Sequence, residues 1–187
     1  MMTVIFKNIG SKWEPIEPFA RADKKTLDDL KDGEREFDVC QEFAHIVEWD
    51  GEPPNVIKLS TEEINMLKAD FLDFRGHPEK SPKKRDNYRK KCFLWVITEN
   101  SLVIVREKIR NVKRTHDPDY ICHTNLTSAG KAYVAGEVLF GEDGFLYLNH
   151  FSDRYGGRNT PNELWQAVKT VFKELGYSNL IDILELI

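Results

Sequence analysis

Cysteine is scarce in this chain: Cys40, Cys92 and Cys122 are three in 187 residues, odd in number and far apart. A disulfide framework is excluded as the organising device, and a reducing compartment suits the chain better. No CxxC pair or Cys/His cluster has the spacing of a structural zinc site, so neither metal nor cofactor is expected. Long apolar runs are also missing. None approaches the ~20 residues that cross a bilayer. The opening MMTVIFKNIGSKWEP has no long apolar core or cleavage site of a secretory leader. There is no internal repeat and no low-complexity tract. A cytoplasmic protein with no membrane association is the expectation.

What is present suffices for one core. The chain is 41% hydrophobic, 11% aromatic and 31% charged, too apolar to stay disordered and about the length of one domain. The formal net charge of −4 is unevenly spread. From His77 to His116, 12 Lys and Arg stand against 4 Asp and Glu; elsewhere 15 stand against 27. The basic residues fall in two blocks, HPEKSPKKRDNYRKK at 77–91 and REKIRNVKRTH at 106–116. Such blocks are commonly solvated loops, or an edge that meets an anion. Tyr88 alone among aromatics in the first block makes no stacking platform for bases. The acidic total argues against a general nucleic-acid binder, whose affinity comes from neutralised phosphates.

Periodicity predicts an α+β fold over a single domain, 1–187: N-terminal helices, a central antiparallel sheet of two hairpins, and a C-terminal helix packed on the sheet. A helical part, 1–76, precedes a basic linker at 77–91 and a sheet-plus-helix part at 92–187. One short helix is expected within 21–36, and a strand or helix from Phe37 to Trp49. Ser60 to Phe74 reads as a helix, opened by a capping box of Ser60 and Glu63 and carrying Ile64, Leu67, Phe71 and Phe74 on one stripe. FLWVI and LVIVR predict a hairpin over Phe93–Arg106, and Tyr120–Leu126 a short strand. AYVAGEVLF and FLYLNHF flank Gly-Glu-Asp-Gly in a second hairpin. Thr160 and Pro161 open the last helix, and the NLIDILELI tail docks as a short helix or an edge strand.

If Asp143-Gly144 is the whole loop of the second hairpin, Glu137 faces His150, Ala135 faces Ser152 and Tyr133 faces Arg154. These side chains then share one face, with small Ala135 and Gly136 leaving room beside them. A three-residue loop with a bulge shifts the register by one and breaks the Glu137–His150 pair. His123, with Thr124 and Asn125, lies just upstream, where a polar loop cap is the commoner role for such a histidine and an acid/base the alternative.

His123-Thr-Asn-Leu, Ala135-Gly136-Glu137, Asp143-Gly144 and Ser152-Asp153-Arg154-Tyr155 before a proline-started helix resemble a His-Ser-Ser, Ala-Gly-Glu, Asn-Gly, Ser-Gly-His-Tyr pattern. That pattern belongs to modules of bacterial toxin-like proteins and of plant calmodulin-binding IQ-motif proteins. The resemblance spans 123–177 and departs at Asp153-Arg154, where the pattern has Gly-His. It implies a site, with a toxin or defence setting in a bacterium or phage, more than a reaction.

The expected function is a small enzyme acting on a phosphate-containing substrate, RNA or a nucleotide, by metal-independent acid/base chemistry. His123, Glu137 and His150 are its candidate catalytic residues. Thr124, Asn125, Tyr133, Ser152, Arg154 and Tyr155 are candidate substrate-binding residues. An ADP-ribosyltransferase-like transferase is an alternative. Another is a non-catalytic immunity or regulatory module that docks a protein partner through the basic segment 77–116.

Overall fold

A computed structural model describes residues 13–17, 45–46, 57–76, 81–99, 102–107, 122–127, 130–152, 154–156 and 160–183. The helix expected within 21–36, most of 37–49 and Asp153 lie outside these residues. The described elements are β1 (His45–Ile46), β2 (Lys58–Leu59), α1 (Thr61–Gly76), α2 (Pro82–Lys91), β3 (Phe93–Ile97), β4 (Leu102–Arg106), a 3-10 turn (His123–Leu126), β5 (Val134–Gly141), β6 (Leu146–Asn149), α3 (Asn162–Glu174) and β7 (Leu180–Asp182). Strands run in the order β1-β4-β3-β5-β6-β7, with β2 beside β5. Pairing is antiparallel except for β2 on β5 and β7 on β6. The fold is α+β, with a mostly antiparallel sheet and a C-terminal helix. No helix among the described residues is long and apolar enough to cross a membrane.

Both faces of the sheet are covered, which is why FLWVI is apolar throughout and buried at every position. On one face α3 lays Leu164, Trp165, Val168 and Phe172 against Trp95, Val134, Val138 and Leu148. Trp165 stacks over Trp95 at 6.3 Å, and Phe172 meets Trp95 edge-on at 5.5 Å. The indole N–H of Trp165 donates to Asp182 Oδ2 at 2.5 Å, tying β7 to α3. The C-terminal tail therefore docks as an edge strand.

The other face is covered by α1 and α2. Ser60 and Glu63 form the expected capping box: the Glu63 amide donates to Ser60 Oγ at 3.2 Å and the Ser60 amide to Glu63 Oε2 at 3.1 Å. Ile64, Leu67 and Phe71 face Leu139 and Tyr147 of the sheet. Each such side chain, fully buried, is worth roughly 1.5–3 kcal/mol.

Two expectations fail against this fold. The basic segment is not a linker: Pro82–Lys91 is a helix, started by proline in its first turn and closed by Arg89, Lys90 and Lys91, which suit the negative end of the helix dipole. Its charges meet acids of α1, Lys84 on Asp73 at 2.5 Å and Lys91 on Glu63 at 2.8 Å. Tyr88 anchors it, fully buried and 5.0 Å from the Phe71 ring. The strand expected over Tyr120–Leu126 is instead, over its described part, a 3-10 turn at His123–Leu126. Cys122 precedes the turn, and the Asn125 side chain accepts its backbone N–H at 2.8 Å, a local bond that competes with strand pairing.

Candidate functional site

The hairpin register fixes which polar groups can meet. Glu137 pairs with Asn149, Val138 with Leu148, Leu139 with Tyr147 and Phe140 with Leu146. Gly141 N–H donates to the Phe145 carbonyl at 2.9 Å, and Gly144 N–H to the Gly141 carbonyl at 3.1 Å. The loop is thus three residues, Glu142 to Gly144, with Gly144 at φ +80°. The expected Glu137–His150 pairing is overturned by this one-residue shift. His150 goes to the opposite face, its ring 5.0 Å from that of Trp165. Nor does Gly136 leave room for a substrate: Trp95 and the Asn149 backbone fill the space beside its Cα.

Glu137 stays on the face under α1 and α2, and there a polar cluster forms. Tyr88 OH donates to Glu137 Oε2 at 3.1 Å, and the Asn149 side-chain amide donates to the same oxygen at 2.9 Å. Asn149 Oδ1 accepts the Glu137 backbone N–H at 3.1 Å. The carboxylate is therefore held by two neighbouring elements, α2 and β6, and is only partly buried. Asn149 itself is fully buried.

Two further groups join it. The Glu107 N–H donates to the Cys92 carbonyl at 3.1 Å, extending by one step the ladder that pairs Phe93 with Arg106. Cys92 and Glu107 are thus cross-strand neighbours. Glu137 pairs with Leu94, two residues along from Cys92 and on the same face. One ligand atom each from Cys92, Glu107 and Glu137 lie within 4.8 Å of one another, so these are the described residues best placed to hold a metal ion. Glu107 is 6% exposed. Its Oε1 accepts the Arg89 guanidinium, while its buried Oε2 has no hydrogen-bond partner among the described residues.

Burial dominates the electrostatics. It pushes the Glu107 carboxyl up to about 8, with the charge of Arg89 opposing and that of Glu137 adding to the rise. Burial also drives the Tyr88 phenol and the Cys92 thiol well above their ordinary values, and the charge of Glu137 reinforces both. Outside the cluster, Lys91 holds Glu63 below the usual carboxylate value.

The remaining expected site residues are bonded mostly to backbone groups and to neighbours outside the expected set. His123 is buried on the 3-10 turn, its Nε2–H donating to the Gly136 carbonyl at 2.8 Å. Thr124 and Asn125 are buried around Cys122, whose thiol lies 3.0 Å from the Thr124 hydroxyl. Ser152 Oγ accepts the backbone N–H groups of Arg154 and Tyr155, at 3.2 and 3.1 Å, and forms a turn. Tyr155 is fully buried; its hydroxyl donates to the Gly130 carbonyl at 2.6 Å and lies 2.7 Å from the Thr127 hydroxyl. Tyr133 packs into the core beneath α3.

Sequence reasoning overlooked Tyr88, Arg89, Cys92, Glu107 and Asn149. One signal for Cys92 and Glu107 was present. They directly flank the first hairpin, so any register pairing Phe93 with Arg106 also pairs them.

No protein-family model matches the chain, and no curated protein or solved structure matches it either. The resemblance over 123–177 therefore rests on its motif residues alone.

Proposed function

We propose that the chain is an enzyme acting on a phosphate-containing substrate, RNA or a nucleotide, in the seam between α2 and the sheet around Glu137. The observation that carries this reading is the Glu137 carboxylate. A partly exposed acid in a mid-sheet position, fixed by Tyr88 and Asn149, is preorganised in the way a reacting centre requires. Basic α2 forms one wall of that seam. Arg89 lies within it, and Lys83, Lys84, Arg85 and Lys90 are exposed along the helix, a distribution that raises the local concentration of an anion. His123 keeps a positioning part, holding the Gly136 carbonyl next to Glu137.

A second reading is favoured by the same exposed lysines: a docking module for an acidic partner, with no turnover.

Turnover of an RNA and nucleotide panel separates the two. The wild-type chain is expected to turn over at least one member, and Glu137→Gln to lose about 10²–10³ in rate, as when one preorganised electrostatic group is removed. Its melting transition should stay near that of wild type. Saturable binding of anions with no turnover across the panel would favour the docking module.

A further inference from the structure

We infer that Cys92, Glu107 and Glu137 form a binding site for one divalent transition-metal ion of the zinc class. Three separate positions supply the donors: Cys92 just before β3, Glu107 just after β4 and Glu137 within β5. Their ligand atoms already lie within 4.8 Å of one another. Tetrahedral zinc with a sulfur and oxygens as ligands needs about 3.6 Å between neighbouring donors. The remaining ångström is within the reach of small side-chain rotations.

The second observation is independent of that spacing. Glu107 is nine-tenths buried, and its Oε2 meets no hydrogen-bond donor among the described residues. A buried carboxylate oxygen without a partner is costly, and a cation supplies what it lacks. Charge balance agrees. Ionised for binding, a thiolate and two carboxylates outnumber the Arg89 and Arg85 guanidiniums whose charges act on Glu107, and a cation reduces that excess.

Donor chemistry narrows the ion. A thiolate beside two carboxylates suits a borderline cation, whereas magnesium and calcium take all-oxygen sites. Tyr88 and Asn149, both donating to Glu137 Oε2, orient that ligand from behind, as outer hydrogen bonds do around metal sites. Three protein ligands leave a fourth position open, on the partly exposed side at Glu137. The site does not depend on the enzymatic reading: a chain that binds the ion and turns over nothing keeps it.

Cobalt(II) is the probe, because a thiolate ligand gives it a charge-transfer absorption in the near ultraviolet that carboxylates alone do not. Reduced, chelator-treated protein is expected to bind one cobalt per chain with that absorption, and zinc is expected to displace it. The double variant Cys40→Ser/Cys122→Ser should retain the signal and Cys92→Ser should lose it. Glu107→Gln keeps the shape of the side chain and removes its charge; it should weaken binding at least tenfold. In a second readout that does not depend on the cysteine variant folding, zinc should raise the melting temperature of wild type and raise that of Glu107→Gln clearly less. A wild-type chain without the absorption would overturn the inference, as would a folded Cys92→Ser chain that kept it or an equal zinc shift in wild type and Glu107→Gln.

Discussion

At the scale of single residues, Gly136 and Glu137 do opposite jobs side by side. A Cβ on Gly136 would stand 2.0 Å from the Asn149 carbonyl oxygen and 2.6 Å from the Trp95 ring. Neither neighbour is the loose end of a flexible side chain, so the backbone must move. Gly136→Ala is expected to cost at least ~2 kcal/mol in a denaturant titration, at the upper part of the overpacking range. An unchanged midpoint would mean that β5 and β6 separate there easily. The Ala-Gly-Glu motif was thus legible as important, for a different reason from the one its composition suggested. Glycine lets the strand and the indole approach each other, and only the glutamate reaches the polar cluster. Tyr88 was legible as a lone aromatic and nothing more. Its partners are Glu137, 49 residues away, and Asn149, 61 away, and no local pattern encodes such distances. Truncating only its hydroxyl, in Tyr88→Phe, is expected to cost about 1.5–3 kcal/mol, as for a hydrogen bond to a charged group, with the ring packing on Phe71 retained. A loss no larger than that of a typical surface substitution would show that water replaces the phenol.

At the scale of elements, period was readable and register was not. Ser60–Phe74 declares itself as a helix because its apolar spacing and its cap agree, and both hairpins show in β-branched and aromatic runs. The second loop misled because Asp-Gly suits two different turns. Here Asp143 works through its side chain. Oδ1 accepts the Phe145 N–H at 3.0 Å and Oδ2 the Tyr147 hydroxyl at 2.6 Å, while Gly144 supplies the left-handed step that closes the three-residue loop. That one extra residue moved His150 to the far side of the sheet. Because the space around Gly144 is open, with nothing within 4 Å of an added Cβ, Gly144→Ala isolates the backbone conformation. It should lose about 1–2 kcal/mol, the cost of a left-handed alanine, with the sheet intact by circular dichroism. Helix α2 escaped notice for the converse reason. With Tyr88 the one buried residue described within it, it has no apolar stripe to detect. It is held by a tyrosine, by ion pairs to α1 and by the start of β3 at Cys92, all of them tertiary facts.

At the scale of the molecule, the covering of both sheet faces concentrates polar chemistry where two layers meet. Under α3 the interface is mostly apolar and aromatic; under α2 it holds Tyr88, Arg89, Cys92, Glu107, Glu137 and Asn149. The excess of basic residues in 77–116 therefore has two uses among the described residues. Lys84, Lys91 and Arg89 are engaged with Asp73, Glu63 and Glu107, and exposed Lys83 and Arg85 carry the excess at the surface, Arg85 also acting on the charge of Glu107. Reversing the outward pair is the test of that division. In Lys83→Glu/Arg85→Glu, the Lys83 change should move stability by ~0.5 kcal/mol or less, as at surface positions away from packed features, and the Arg85 change should add the loss of its favourable charge on Glu107. Binding of a single-stranded RNA oligomer should weaken, and the slope of log affinity against log salt should fall by about 1.4, near 0.7 for each phosphate no longer neutralised. Reversing Lys84 as well would break its bond to Asp73 and mix stability with binding, so the double variant is the cleaner probe. If affinity and slope were unchanged, anions would not approach over α2. The seam at Glu137 would then take its substrate from the side of β6 and the turn at Ser152.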